Sequence, residues 1–328
     1  MNRIGLVLAV AACGSSSSKT PDAPMHVVDG HPDAPIDAAP DAYLPDAPEP
    51  VSGHYHYVIS RQVWPTTNQQ ARDDGFDLNN DGSADNQLGM VMVSLAGQGF
   101  DVQTPTDQAF ARGTPILLAD LGANDLTTSQ TATFTIYQGS DPNPPACSGS
   151  ADTVCGHHLH GSGTFTAAAT PRDTPLTGAI ATGQLTAGPG HLSVSLSAFG
   201  ATPVTLLGAR AKLTPTAGGI MTGILGGAVS VADRDSKIYP GFAASMNAVV
   251  MRDCTALSSP PQCGCASGSS GASVISLFDT THDCNITTQE IHDNSLIMAL
   301  FAPDVTVEGQ QALSVGFAVT AVDATFTP

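Results

Sequence analysis

Val204-Thr205-Leu206-Leu207-Gly208-Ala209-Arg210-Ala211-Lys212-Leu213 and, past a turn, Ile220-Met221-Thr222-Gly223-Ile224-Leu225-Gly226-Gly227-Ala228-Val229-Ser230-Val231 decide the fold class. Both segments are β-leaning and bounded by turn residues. Segments of the same kind recur at 114–121, 131–137, 163–168, 179–185 and 191–199, with Tyr55, Tyr57 and Ile59 alternating before them and 312–326 after them as one long strand or two short ones. Such spacing predicts a mainly β protein, sandwich or jelly-roll-like, with a few short helices. Helices are expected near 66–72 and 86–95, and on the apolar face of Ile238, Phe242, Met246, Val249 and Val250, where Pro240 suits a first turn.

Two acidic stretches interrupt this β pattern. In the first, residues 73–88, Asp77, Asn79, Asp81 and Asp85 stand at positions 1, 3, 5 and 9 of a twelve-residue loop, with Gly82 at position 6. In the second, residues 278–291, Asp279, Thr281, Asp283, Thr287 and Glu290 occupy positions 1, 3, 5, 9 and 12, with apolar Ile286 at position 8. Ser83 and Asn285 hold position 7, which ligates through its backbone carbonyl. Ca²⁺ takes six to eight hard oxygen ligands, and this spacing wraps them around one ion. Both stretches resemble EF-hand loops, with two departures. Position 12 of the first is Leu88, so this loop resembles dockerin-like and thrombospondin-repeat calcium loops as much as an EF-hand, and Asp73, Asp74, Asn86 or water would complete its shell. Position 6 of the second is Cys284, whose β-carbon resists the positive φ required there. A helix-compatible run follows from 290 to 301.

The remaining features are those of an exported chain. Residues 1–13 carry one basic residue, Arg3, an apolar run and then Cys13, an export signal whose Val10-Ala11-Ala12-Cys13 resembles a bacterial lipobox with Cys13 lipidated. Gly14 is not the aspartate that favours inner-membrane retention, so the outer membrane or cell surface of a Gram-negative bacterium is expected. Residues 14–52 repeat Pro-Asp-Ala, as at 21–23, 32–34, 40–42 and 45–47, and have little to bury. Extended, they reach at most about 120 Å from the membrane. Residues 53–328 then form a single β-rich domain. A net charge of −18 argues against nucleic acid and anionic lipid as partners and for divalent cations.

Beyond Cys13 six cysteines remain, an even count that points to disulfides in an exported protein. Cys147 and Cys155 flank a short loop and are expected to pair. Cys263 and Cys265 are too close to favour each other, so one takes Cys254 and the other Cys284; a four-cysteine zinc site is the runner-up. His157, His158 and His160 cluster beside Cys155. His54 and His56 share one face of a strand, an arrangement that can seat Zn²⁺ or Cu²⁺, yet no acid stands near them in sequence. The ordinary reading of both groups is surface histidine.

Zinc-protease, nucleophile-elbow, P-loop and Rossmann signatures are all missing from the sequence, so no catalytic residue is nominated. Together, the lipobox, the Pro-Asp-Ala tether and the two acidic loops resemble predicted surface lipoproteins of myxobacteria-type Gram-negative bacteria. The resemblance implies EF-hand-like segments on an exported domain and no known activity. The expected role is a calcium-binding, lipid-anchored surface protein that serves structurally or binds an envelope protein or glycan. The alternative is a secreted hydrolase with calcium as a structural ion.

Overall fold

A computed structural model describes residues 51–149, 151–257 and 263–328. The export signal, Cys13 and the tether to residue 50 lie outside the described residues.

The chain runs through β1 (His54–Val63), α1 (Asn68–Asp73), α2 (Gln87–Gly97), α3 (Gln103–Ala111), β2 (Leu117–Ala123), β3 (Ser129–Asn143), β4 (Gly163–Ala167), β5 (Leu176–Ala181), β6 (Gln184–Ser195), β7 (Pro203–Pro215) and β8 (Ile220–Ser230). A single helical turn, α4 (Val231–Asp233), passes through a π-helical segment (Arg234–Ile238) into α5 (Tyr239–Asp253). There follow β9 (Cys254–Ala256), β10 (Cys263–Cys265), α6 (Ser270–Phe278), α7 (Thr288–Asp293), α8 (Ser295–Leu300), β11 (Val305–Val307) and β12 (Gln310–Thr325).

The protein is mainly β, but its sheet closes rather than splitting into a sandwich or jelly roll. Strands β1, β2, β3, β5, β6, β7, β8 and β12 pair antiparallel in that order, and β12 returns to β1 from Tyr57↔Asp323 to Val63↔Ala318. Closure removes the free edges that a sandwich would have to protect. Eight strands enclose a space that side chains can fill. Tyr57, Ile59, Leu121, Phe134, Ile136, Leu213, Met221 and Phe317 are all buried in one core, shared with the apolar faces of α2, α5, α6, α7 and α8.

Two expected elements take a different form. The segment 179–185 is not one strand but the turn of the β5–β6 hairpin, with Thr182 and Gly183 both at positive φ (51° and 78°), which a two-residue loop between twisted strands demands. The run 290–301 is two helices, broken at Asn294, whose side chain accepts hydrogen bonds from the N–H groups of Leu296 and Ile297 and so starts α8.

Small apolar clusters also form on the outer face of the sheet. Phe76 and Leu78 lie with Leu207, Ala228, Val305, Val307 and Ala312. Here Gly226 and Gly316 face each other across β8 and β12. A β-carbon on Gly316 would overlap the carbonyl oxygen of Asp74, and one on Gly226 would press into the Phe76 ring. These two glycines let the first acidic loop lie flat on the barrel.

The second outer cluster holds Val58, Ile116, Leu118, Tyr137, Phe165 and Phe326. Beside Phe165 sits His158, 1% exposed, with neither ring nitrogen hydrogen-bonded. Burial, then the neighbouring His160 and His157, push its pKa down to about 4 from 6.5. Folding therefore favours the neutral ring. The associated stability, at most about 3 kcal/mol, is complete above pH about 6.5 and lost as pH falls to about 4. His158→Leu should flatten the fall in melting temperature between pH 7.5 and 5; a variant as pH-sensitive as the parent would refute this.

Candidate metal centres

Both acidic loops link two helices: residues 77–88 follow α1 and run into the first turn of α2, and residues 279–290 follow α6 and run into the first turn of α7. They share a backbone trace. Positions 4 and 6 are left-handed in each, at Asn80 (φ 61°) and Gly82 (89°) in the first and at His282 (55°) and Cys284 (66°) in the second.

In the first loop the position-1 carboxylate is held from inside the turn. Asp77 Oδ1 accepts the Asp81 N–H at 3.1 Å and Oδ2 accepts the Gly82 N–H at 3.0 Å. Asn79 Oδ1 accepts the Asp81 N–H at 2.9 Å, and Asp81 Oδ1 accepts the Ser83 N–H at 2.8 Å. Each of these oxygens keeps a second lone pair, and Asn79, Asp81 and Ser83 are exposed. Asp85 closes the loop through the Leu78 N–H at 2.8 Å, while its own N–H bonds the Phe76 carbonyl. Burial raises the pKa of Asp85; the Leu78 N–H opposes this, and the charges of Asp304 and Asp81 add to it. That acid–acid repulsion is what a bound cation would relieve.

The position-12 residue of this loop, Leu88, is fully buried in the core. Asn86 is also committed elsewhere. Its side-chain amide bonds Ala71 O, Gly316 O, Gly316 N and Gly89 N, capping α2 and fastening the loop to β12. Asp304, which precedes β11, is instead the additional acid near Asp85. Its distance in sequence hid it.

The second loop is built more tightly. Asp279, 2% exposed, accepts the Asp283 and Cys284 N–H groups at 3.2 and 2.9 Å and the Thr281 hydroxyl at 3.2 Å. Asp283 accepts the Asn285 N–H. Position 8 is clamped by α5: the Ile286 N–H bonds Asn247 Oδ1 and the Ile286 carbonyl accepts from Asn247 Nδ2, both at 2.7 Å. A side-chain amide thus takes the part that a second strand would play.

Glu290 is in a capping box with Thr287 and also reaches back across the loop. Oε2 accepts the Thr287 N–H and hydroxyl; Oε1 accepts the N–H and hydroxyl of Thr280 and the N–H of Thr281. Burial raises its pKa, but these donors outweigh burial and hold it down to about 2. The first loop offers open oxygens, whereas the second would have to exchange threonine hydroxyl bonds for an ion.

All six described cysteines are paired, as Cys147–Cys155, Cys254–Cys265 and Cys263–Cys284. No thiolate among them is free to bind zinc. The bond from Cys263 reaches position 6 of the second loop, where Cys284 stands in place of glycine. Trp64 is buried against Phe199 and Phe317 and offers no sugar-stacking surface. The histidines near Cys155 do not converge: His157 bonds Asp152 and Ser148, while His158 turns inward.

His54 and His56 differ from the expectation of a pair without an acid. β1 pairs with β2 so that His56 lies opposite Asp120, and Asp120 Oδ1 is 2.9 Å from His54 Nδ1 and 3.6 Å from His56 Nε2. Asp120 sits within an apolar stretch of sequence, so only strand register reveals it.

These observations define a class: a closed eight-stranded antiparallel barrel carrying two acidic helix–loop–helix segments. No family model, curated protein or solved structure matches the chain.

Proposed function

We propose that this protein is a calcium-binding domain of the bacterial envelope or surface, lipid-anchored through Cys13, with a structural or partner-binding role. Asp77, Asn79, Asp81, Asp85 and the Ser83 carbonyl hold one ion. Asp279, Thr281, Asp283, Thr287, Glu290 and the Asn285 carbonyl hold the second. The observation that carries this reading is the first loop, where oxygens at positions 1, 3 and 5 are oriented by backbone N–H groups and each keep a further lone pair. The lipobox and tether support the anchoring, and the net charge of −18 supports a cationic rather than anionic ligand.

Extracellular sites of this kind bind at about 10⁻⁴–10⁻³ M, an affinity suited to structural calcium. Binding stabilises by mass action, about 2.7 kcal/mol at a hundred times the dissociation constant. Calorimetric titration of the full chain should show heat at one to two equivalents of Ca²⁺, and EGTA should lower the melting temperature. Asp81→Ala with Glu290→Ala should abolish the heat. An unaltered titration in that double variant would remove the calcium assignment.

A further inference from the structure

We propose that His54, His56 and Asp120 form a separate site for a divalent ion of the zinc class, on the outer face of the barrel. The site does not depend on calcium binding in either loop.

The strand register builds the cluster. His54 and His56, two residues apart on β1, point to the same face, and the antiparallel pairing puts Asp120 of β2 directly opposite His56. One ligand atom from each of the three lies within 4.8 Å of the others. Bonds of 2.0–2.2 Å to a tetrahedral ion place neighbouring ligands about 3.3 Å apart. The Asp120 separations of 2.9 and 3.6 Å straddle that value. Only the two imidazoles need to close on each other, and the His54 side chain, 54% exposed, is free to turn.

Three further features favour an ion over a plain histidine–aspartate pair. The Asp120 side chain is only 10% exposed, and among the described residues its hydrogen-bond and ion-pair partners are these two rings alone. Among the described residues no arginine, lysine or backbone N–H bonds this shielded carboxylate directly, and the Arg172 guanidinium is engaged over the Tyr137 ring. The His56 ring is already fixed, stacked on Phe326 at 4.4 Å, and Phe326 is itself held edge-on by Tyr137. Gly122 faces His54 across the strands, so the cross-strand neighbour brings no side chain over that ring.

Two imidazoles and one carboxylate suit zinc and its first-row neighbours, whereas calcium prefers oxygen alone. Three protein ligands also leave one position for water or an exogenous ligand, unlike closed four-ligand structural sites.

The test is a titration of the full chain with Co²⁺ in buffer saturated with Ca²⁺, read by visible absorption, with Zn²⁺ as competitor. One equivalent should give d–d bands that Zn²⁺ erases. His54→Ala, His56→Ala and Asp120→Asn should each weaken binding at least about tenfold, while Asp81→Ala with Glu290→Ala should not alter it. His54→Ala guards against misfolding, since that ring is exposed and its strand pairing is through backbone. Absence of saturable binding would overturn the proposal. So would bands that survive all three substitutions, or that vanish instead with His157→Ala and His160→Ala.

Discussion

Gly316→Ala should destabilise the protein by about 2–5 kcal/mol, the cost of overpacking plus the loss of a buried amide's partners. The new methyl would meet the Asp74 carbonyl at the end of α1, and neither group is a flexible side chain that can swing aside. Moving that backbone also pulls on Asn86, whose amide bonds both the N–H and the carbonyl of Gly316. Because the same contacts seat the first acidic loop, its calcium heat should disappear while the share removed by Glu290→Ala persists. Gly97→Ala is the control: a β-carbon there meets nothing within 4 Å. Urea melts of the two variants decide the matter, and a Gly316→Ala protein as stable as Gly97→Ala would refute the packing argument.

Removing the Cys263–Cys284 bond should cost about 3 kcal/mol, because it closes a segment with a sequence separation of 21 in the unfolded chain. The replacement chosen for Cys284 separates two effects. Cys263→Ala with Cys284→Ala loses the cross-link and keeps a β-carbon at φ 66°. Cys263→Ala with Cys284→Gly loses the cross-link but permits that backbone freely, and should be the more stable of the two by about 1 kcal/mol. Denaturant melts under non-reducing conditions measure both. An alanine variant at least as stable as the glycine variant would mean that the left-handed position imposes no cost.

Local chemistry was legible in the sequence, and long-range geometry was not. Alternating residues such as Tyr55, Tyr57 and Ile59 announce strands because period two is a local property. Whether strands form a sandwich or a barrel depends on two joins, β1 to β12 and β3 to β5, between residues far apart in the chain. The β5–β6 hairpin was missed because Thr182-Gly183 lacks the Asn-Gly or Asp-Gly signal of such turns. Helix α6 was hidden by its small residues, though Ser269 caps it and Val274, Ile275 and Phe278 bury its face. The loop residues could be placed in order because ligand spacing is also local. Asp120, Asp304 and Asn247 could not, since each enters its site from another part of the fold.

The seam between β1 and β12 ties closure of the barrel to residues 310–325, far along the chain from β1. β12 spans sixteen residues and supplies hydrogen-bonding neighbours to β1, β8, β11 and β4. Until it emerges, β1 has one unclaimed side and the ring has no way to shut. Contacts of such great sequence separation make for slow folding, and the half-built cylinder presents sticky margins in the meantime. A chain cut just before residue 310 should therefore behave as an aggregation-prone nascent species rather than as a slightly smaller protein.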